Sequence, residues 1–428
     1  MFEYVASGLS HAAFNKKYLS DEVDNNLYGE CITNINNMFK AINQDRHRMS
    51  LLFNAYIEKH YGVLFNKLFY KNTLNNIYSD SGGLQMITLG HTSTDELKNS
   101  VYDTQSNFST VGMCFDEIPV ENISSVSSTS NIKNRLFSNS LLNENAKETA
   151  LNIKKQIEYF KNNPNNMCKP MIILQGNCFD TYQQWTDIVL NEIGHNNWKY
   201  IGGISSGAAA LGSGVLEDFK RAYIITQVDL PTELKVNHYH ILGVGSLLRL
   251  LPFIALKKNK IIPNDLLISY DSTTHTGGIS RGNYFISDVP TNFPQYKDKY
   301  FYMVLDDIHK NMNKLNLNIN ITESMIYDRI SIPSNWKKGN YTITDEYNTL
   351  LAYLISSIYN FMCSVDKLYE DDSYYEEYAH HKGLLIPLNA YSKCTDRKDF
   401  EEWMKCFKSI LYSNPISIKQ NNDLSLYF

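Results

Sequence analysis

Three carboxylates and one amide follow short apolar runs at four separate places in the chain. They are Asp80 in YSDSGG, Asp116 in MCFDE, Gln175 in ILQGN and Asp271 in SYDSTT. Carboxylates accept hydrogen bonds and an amide both donates and accepts, so together they match the donor-rich edge of a guanine-like base. A further carboxylate can attack a sugar carbon while another shuttles a proton, which is the chemistry of retaining glycosyl transfer.

Each of these residues also has a plain structural interpretation. Asp80 before Ser-Gly-Gly and Asp271 before Ser-Thr-Thr stand where a carboxylate often caps a helix or a turn. The glycine-containing segments IGGISSG and ILGVGS, taken alone, are typical of phosphate-binding loops, so an FMN or sugar-phosphate enzyme stays open. The ordered recurrence of the four residues along the chain favours one shared site.

The segments around these residues predict the elements that position them. Short apolar runs end in polar or glycine residues over 74–83, 109–117, 169–177, 199–207, 237–246 and 265–275. Helix-like segments lie between them, at 143–163, 180–194 and 245–260. This alternation predicts an α/β fold with parallel strands, a (β/α)8 TIM-like barrel, and a doubly wound open sheet is the alternative. In such a barrel the carboxyl ends of the strands meet at one face, which would bring the four residues together.

The amino-terminal segment is less regular. Residues 3–11 predict the first strand, and residues 46–62 predict a helix. Residues 121–143 are rich in Ser and Asn and predict a surface loop that would hang over the barrel mouth with Lys133 and Arg135.

The carboxyl-terminal third predicts the end of the barrel and an accessory region. We expect the last barrel units after residue 290, followed by helices. The predicted division is a barrel domain over 1–330 and a carboxyl-terminal accessory or last-helix region over 331–428.

Bulk composition limits the classes of partner. The chain has 428 residues, of which 43% are hydrophobic, enough for a sizeable core. A net charge of −5 gives no overall attraction to nucleic acid, so such contact would need a local basic patch. The candidate patches contain Arg46, Arg48, Lys133, Arg135, Lys257, Lys258, Lys260, Lys337 and Lys338.

The cysteines and the hydropathy pattern indicate the compartment. Seven widely spaced cysteines are typical of a reducing environment, and no apolar run is long enough to span a bilayer. We therefore expect a protein of the cytoplasm, or of the host cytoplasm if it is viral, with no membrane partner.

Six motifs in order resemble those of the tRNA-guanine transglycosylase superfamily, whose members exchange guanine in a polynucleotide for a 7-deazaguanine. The motifs are SDSGGLQ (79–85), MCFDE (113–117), ILQGN (173–177), IGGISSG (201–207), HYHILGVGS (238–246) and SYDSTTH (269–275). Each motif alone is weak to moderate, but the ordered set spans about half of the chain and makes the resemblance specific.

The resemblance implies a role for each matched residue. Asp271 would be the nucleophile at the sugar C1′ atom, and Asp80 would be the general acid and base. The base edge would be held by Asp116, Gln175 and the backbone of the Gly202-Gly203 pair, and the 7-substituent would lie near Ile204, Ser205 and Ser206. No redox cofactor or ATP is implied, because one N-glycosidic bond is exchanged for another.

Two features of the tRNA enzymes are missing from the sequence. Their cluster of closely spaced zinc ligands has no counterpart, so we expect no metal. A non-standard zinc site stays open as the alternative, built from widely separated residues: Cys363, His380, His381, Cys394 and Cys406. The basic segment beside the nucleophile is reduced to Arg281, and His275 either contacts phosphate or has a structural role.

These departures favour DNA over tRNA as the polynucleotide. They point to the DpdA-like transglycosylases of phages and bacteria, which place 7-deazaguanines such as preQ0 in DNA, with other DNA-modification proteins as expected partners. A tRNA enzyme, a flavin- or phosphate-binding barrel enzyme and a non-catalytic nucleic-acid-binding subunit are the alternatives.

Overall fold

Eight short strands hydrogen-bond in a closed ring, each parallel to both of its neighbours. The structure is a computed structural model that describes residues 2–8, 49–59, 62, 74–83, 86, 93–122, 135–207, 215–275, 283–286, 302–304 and 345–413. The ring confirms the predicted (β/α)8 TIM-like barrel.

The barrel strands lie in the order β1-β10-β9-β8-β7-β4-β3-β2 around the ring. Their bounds are β1 (Phe2–Ala6), β2 (Ser50–Asn54), β3 (Ile77–Asp80), β4 (Val111–Met113), β7 (Lys169–Leu174), β8 (Gly203–Ser206), β9 (His238–Ile241) and β10 (Leu267–Ser272). Two antiparallel pairs lie outside the ring, namely β5 (Val120–Asn122) with β6 (Arg135–Phe137), and β11 (Asn283–Phe285) with β12 (Tyr302–Val304).

Helices follow most of the barrel strands and cover the barrel. Those inside the barrel sequence are α1 (Asp95–Phe108), α2 (Leu142–Asn162), α3 (Phe179–Ile193), α4 (His195–Trp198), α5 (Val215–Gln227) and α6 (Leu247–Lys258). The predicted carboxyl-terminal helical region contains α7 (Asp345–Glu370), α8 (Asp372–His381), α9 (Leu385–Tyr391) and α10 (Arg397–Ser413). In the described part of the chain, no helix combines the length and the apolar character needed to cross a bilayer.

Side-chain capping fixes where the helices start near the barrel mouth. Thr94 precedes α1 and its hydroxyl accepts a hydrogen bond from the Leu97 N–H at 3.3 Å. Ser246 does the same for α6, accepting from the Arg249 N–H. These hydroxyls satisfy N–H groups that the first helical turn leaves without partners.

Strand register decides which side chains enter the barrel. Ser269 of β10 pairs with Glu3 of β1 on one side and with His240 of β9 on the other. Side chains alternate along a strand, so these three residues face inward, while their neighbours Tyr4 and Tyr270 face the helices. There the two tyrosine rings pack against Phe361 of α7. The barrel interior is therefore unusually polar, and the apolar core lies between the strands and the helices.

Two predictions about the chain segments are wrong. Within the predicted helix 46–62, Ser50–Asn54 form the barrel strand β2, and of the described residues only Lys59 and Gly62 are helical. The buried run SLLFN is too short for periodicity to separate strand from helix. The ring closes when β10 pairs with β1, so no barrel strand comes from the described residues after 290. The carboxyl-terminal region supplies helices instead, and α7 packs against β1, β11 and α6.

The prediction of a surface loop over 121–143 is wrong at both of its ends, where the structure has regular secondary structure. Strand β5 ends at Asn122 and strand β6 begins at Arg135, and the two pair as an antiparallel ribbon after β4. Its last residues already belong to helix α2. The boundary between the two predicted domains at residues 330 and 331 lies outside the described residues and stays a prediction.

Candidate active site

The structure brings the three carboxylates and the amide to the carboxyl end of the barrel. Asp80 is the last residue of β3 and Asp271 lies one residue before the end of β10. Asp116 follows β4 by three residues, and Gln175 comes directly after β7. Because all these strands are parallel, their carboxyl ends form one face, which we call the mouth.

A buried carboxylate–amide pair forms one side of the mouth. The Gln175 Nε2 group donates to Asp116 Oδ2 at 2.6 Å, and both side chains are less than a tenth exposed. Burial raises the pKa of Asp116 to about 7, against the lowering effect of the Gln175 hydrogen bond and with a further rise from the charge of Asp80. The Gln175 Oε1 atom is buried and accepts no hydrogen bond from any described residue. The pair therefore presents unsatisfied hydrogen-bonding capacity inside the barrel end.

Asp80 is half-buried, and none of the groups that shift its pKa carries a positive charge. Burial, followed by the charge of Asp271, raises its pKa to about 6, while the N–H groups of Gly82 and Ser81 act in the opposite direction. Asn54, at the end of β2, lies beside it with Nδ2 3.4 Å from Asp80 Oδ2. A carboxyl group with a pKa near neutrality can both give and take a proton at physiological pH.

Asp271 has different surroundings, although it shares the mouth with Asp80. Its Oδ1 atom accepts a hydrogen bond from the Gly243 N–H at 2.9 Å and lies 3.2 Å from His240 Nε2. Its Oδ2 atom has no hydrogen-bond partner among the described residues, and the side chain is 14% exposed. One oxygen of this carboxylate is therefore held and the other is open toward the mouth.

Two arginines hold the loop that carries Gly243 through hydrogen bonds to its backbone carbonyls. Arg249 Nη1 donates to the Gly243 carbonyl at 2.7 Å, and Arg221 Nη1 donates to the Leu242 carbonyl at 3.3 Å. Arg249 also forms two hydrogen bonds to Asp218, at 2.6 and 3.0 Å, and Asp218 is fully buried on α5. Gly243 has φ of 70°, a conformation that favours glycine. These contacts hold its N–H in place against Asp271.

The glycine pair does not lie at the mouth. Gly203 is the first residue of β8 and Gly202 precedes it, so the prediction that they end a strand is wrong. A Cβ atom on Gly203 would lie 2.5 Å from the His238 carbonyl oxygen, and one on Gly202 would lie 2.7 Å from Lys169 Cβ. Glycine is therefore needed at both positions because the first residues of β7, β8 and β9 pack too closely to leave room for a side chain. The glycine near the mouth is Gly207, where a Cβ would meet Gln175 Oε1 at 2.3 Å.

The residues after this pair alternate between the two faces of β8. Ser205 pairs with Ile173 and His240 and shares their inward face, and its buried hydroxyl has no partner among the described residues. Ile204 belongs to the apolar core outside the strands. Ser206 ends the strand and is buried. Of the three, the side chain of Ser205 points into the barrel.

His275 is a core residue. It is 1% exposed, and its ring lies against those of Tyr4, Phe285 and Phe361, with centroids 5.7, 5.6 and 4.1 Å away. Burial lowers its pKa to about 3. These contacts favour the structural role for His275, because its imidazole is buried behind aromatic rings.

The predicted basic contacts are only partly described. Lys133 and Arg281 lie outside the described residues, as do Arg46, Arg48, Lys337 and Lys338, and of Arg135 only the backbone in β6 is described. Lys257 donates to the carbonyls of Pro263 and Leu266, and Lys258 pairs with Asp372. Since α6 starts at the mouth and runs away from it, both lysines lie at the opposite end of the barrel.

Sequence reasoning missed His240, Ser269 and Asn54. A signal was present, because His238 and His240, like Ser269 and Asp271, are spaced by two residues and so share the inward face of a strand. Within the described residues, His, Cys, Asp and Glu side chains form no group of three that could hold a metal ion.

Comparisons of the chain with models of protein families and with curated proteins gave no match. The resemblance to the transglycosylase superfamily thus remains an interpretation of six short motifs.

Proposed function

We propose that this protein is a base-exchange glycosyltransferase that replaces guanine in DNA by a 7-deazaguanine through a covalent bond between Asp271 and the sugar. The observation that carries the proposal is the pairing of two carboxylates with unlike surroundings at one barrel mouth. Asp271 is held by N–H donors with one oxygen open, while Asp80 has a pKa of about 6. Two carboxyl groups with such different surroundings suit a nucleophile and an acid–base partner.

The Asp116–Gln175 pair suits recognition of the base. A guanine or 7-deazaguanine edge offers ring N–H and amino donors together with a carbonyl acceptor. Asp116 can accept from the donors, and the amide of Gln175 can complete the match through its free Oε1 atom or its Nε2 group. Ligand N–H groups would favour the ionised form of Asp116 and so lower a pKa that burial has raised to about 7.

The reaction then proceeds by two displacements at C1′. In the first, an Asp271 oxygen forms a bond to C1′ as the C1′–N9 bond breaks. The electron pair of the C1′–N9 bond leaves with guanine, which takes a proton from Asp80. In the second, the incoming base loses its N9 proton to the Asp80 carboxylate and attacks C1′, and the Asp271–C1′ electron pair returns to the carboxylate. Atoms and charge balance without ATP or a redox partner.

DNA is the preferred polynucleotide because the zinc cluster and basic flank of the tRNA enzymes are missing from the sequence. The target nucleotide must leave the base stack to reach a barrel mouth, as it does in other enzymes that act on a base.

A two-substrate exchange assay tests the proposal. Purified protein receives labelled preQ0 with duplex DNA in one reaction and with unmodified tRNA in another, and the Asp271→Ala variant runs in parallel. Label in DNA that is lost in the variant is the expected result. Label in tRNA alone would return the protein to the tRNA branch, and label in both tubes with Asp271→Ala would reject Asp271 as the nucleophile.

A further inference from the structure

A chain of buried polar side chains runs inside the barrel from its amino end to the mouth. It begins at Glu3 and ends at Asp271, and each link is a close contact between inward-facing residues. The links are Tyr78 Oη to Glu3 Oε2 at 3.2 Å, Tyr78 Oη to His238 Nε2 at 3.2 Å, His238 Nε2 to Ser269 Oγ at 2.6 Å, Ser269 Oγ to His240 Nδ1 at 2.8 Å and His240 Nε2 to Asp271 Oδ1 at 3.2 Å.

The amino end of this chain fixes where the first proton lies. The Glu3 carboxylate accepts hydrogen bonds from Ser50, Asn75 and Asn76 at Oε1, and from Tyr78 at Oε2. Burial and the Glu3 charge raise the pKa of Tyr78 far above its usual value, so its hydroxyl keeps its proton and directs it to Glu3. Toward His238 Nε2, the Tyr78 oxygen can then act only as an acceptor.

The remaining protons follow from this first assignment. Burial lowers the pKa of His238 to about 3, so its ring is neutral. A hydrogen on its Nε2, shared between the Tyr78 and Ser269 oxygens at 3.2 and 2.6 Å, is the assignment that gives the Tyr78 oxygen a donor. Ser269 accepts that hydrogen and donates its own to the unprotonated Nδ1 of His240. In a neutral His240 ring the other hydrogen is on Nε2, directed at Asp271 Oδ1.

We infer that His240 is a positioning residue for Asp271, held in its Nε2–H tautomer by the Glu3–Tyr78–His238–Ser269 chain. This inference deepens the proposed function and rests on it for the role of Asp271. His240 is fully buried, and its ring lies 5.4 Å from the Tyr78 ring, centroid to centroid, so it has little freedom to turn. Its N–H and that of Gly243 converge on the same oxygen, which leaves Oδ2 of Asp271 as the attacking atom.

Two N–H donors on Oδ1 act differently in the two displacements. When Oδ2 bonds to C1′, Oδ1 becomes the carbonyl oxygen of an ester-like intermediate and remains anchored. When the second displacement breaks the Oδ2–C1′ bond, negative charge returns to the carboxylate, and the donors already face it. Preorganised donors aimed at developing charge typically contribute about 10²–10³-fold to a rate.

The tautomer is tested directly, without any substrate. The full-length protein is labelled with ¹⁵N-histidine, and the ring nitrogens of His240 are identified by the loss of their signals in His240→Gln. The expected spectrum at pH 7 shows a protonated Nε2 and an unprotonated Nδ1, and Ser269→Ala shifts the Nδ1 signal. A protonated Nδ1, whether in the other tautomer or in an imidazolium, would overturn the inference.

Exchange activity provides the second test. Glutamine can place an amide N–H near the position of Nε2, whereas leucine cannot, so the two variants separate hydrogen bonding from packing. We expect His240→Leu to lose about 10²–10³-fold in kcat with little change in the KM for the base, and His240→Gln to stay within about tenfold of the unsubstituted protein. The exposed His195, changed to Leu and to Gln, is the matched control.

The outcomes separate the inference from the proposed function. Equal exchange by His240→Leu and the unsubstituted protein would overturn the positioning role, as would equal losses in folded His240→Leu and His240→Gln. If the unsubstituted protein exchanges no base in DNA or tRNA, the proposed function fails, and the NMR spectrum alone still decides whether His240 presents Nε2–H to Asp271.

Discussion

At the scale of single residues, the mouth combines carboxyl groups that the fold makes costly to ionise. Asp116 is 6% exposed, and burial raises its pKa to about 7 from the usual value of 3.8. Such a group binds its proton more tightly in the folded state than in the unfolded state. The stability that Asp116 adds to the folded state is therefore fully present below about pH 4 and is lost as pH rises through about 7.

Replacing Asp116 by Asn should remove this pH dependence. We expect the variant to be more stable than the unsubstituted protein at pH 8, by roughly 2–4 kcal/mol, and to show little difference at pH 4.5. Urea unfolding at the two pH values measures the difference. Asp229→Asn, at an exposed position, is the control and should change neither value. Equal stability of Asp116→Asn and the unsubstituted protein at pH 8 would show that Asp116 is not strained by burial.

Replacing Asp80 by Asn should separate binding from chemistry. The amide keeps the shape of the side chain and the contact with Asn54 but cannot carry the proton between bases. We expect turnover to fall by about 10²–10⁴-fold with unchanged affinity for DNA, and the limb near pH 6 in the pH–rate profile to disappear. Undiminished turnover at pH 7 would remove the acid–base role from Asp80.

At the scale of elements, the loop between β9 and α6 carries one of the two donors that act on Asp271, the Gly243 N–H, and the other, His240, lies in β9. The carbonyls of the loop are bound by Arg221 and Arg249, and both arginines reach Asp218 on α5, with Arg221 Nη1 at 3.7 Å. The site thus depends on a contact between two helices and not only on strand ends.

Arg249→Met should weaken both the fold and the site. Among the described residues, removing the guanidinium leaves the fully buried Asp218 with only the longer contact to Arg221, so we expect a loss of about 2–4 kcal/mol in the free energy of unfolding. The exchange rate should fall by more than the loss of folded protein explains. Without Arg249 the Gly243 carbonyl loses its hydrogen bond, and the Gly243 N–H is no longer held against Asp271. Chemical denaturation and exchange rates check the two parts. Exchange that falls no further than the loss of folded protein explains would contradict the role given to the loop.

The limits of sequence reasoning are clearest at this scale. Asp80, Asp116, Gln175 and Asp271 were predictable because each stands in a βα motif that repeats in order. Strand β2 was not, since a five-residue buried run has no period of its own. The network through His240 needs β9 and β10 as neighbours in the ring, and it needs Tyr78 of β3 to reach across the interior to Glu3 and His238. Closure of the barrel brings these strands together, and no local sequence pattern indicates it.

At the scale of the whole molecule, the carboxyl-terminal helices pack against the outer face of the barrel. Phe361 of α7 contacts the rings of Tyr4, Tyr270 and His275, which lie on two adjacent barrel strands and just after them. Tyr391 of α9 donates to the Phe219 carbonyl of α5 at 2.9 Å. Barrel and carboxyl-terminal helices therefore share one apolar core.

This shared core predicts one unfolding transition for the described barrel and helices. Phe361→Ala should lower the free energy of unfolding by about 3–5 kcal/mol and shift circular dichroism and tryptophan fluorescence together. The exposed Ile386, changed to Ala, should cost less than about 0.5 kcal/mol. Two separate transitions, or a stable fragment ending at residue 344, would show that the helices form an independent domain.

The central claim is a covalent bond between Asp271 and the sugar, and trapping that bond tests it most directly. The protein is incubated with end-labelled duplex DNA in the absence of an incoming base, denatured, separated on a gel and mapped by peptide mass spectrometry. We predict a protein–DNA species that carries the sugar on Asp271, is missing in Asp271→Asn and is discharged by preQ0. A species that persists in Asp271→Asn, or exchange of base into DNA with the adduct on another residue, would contradict the account.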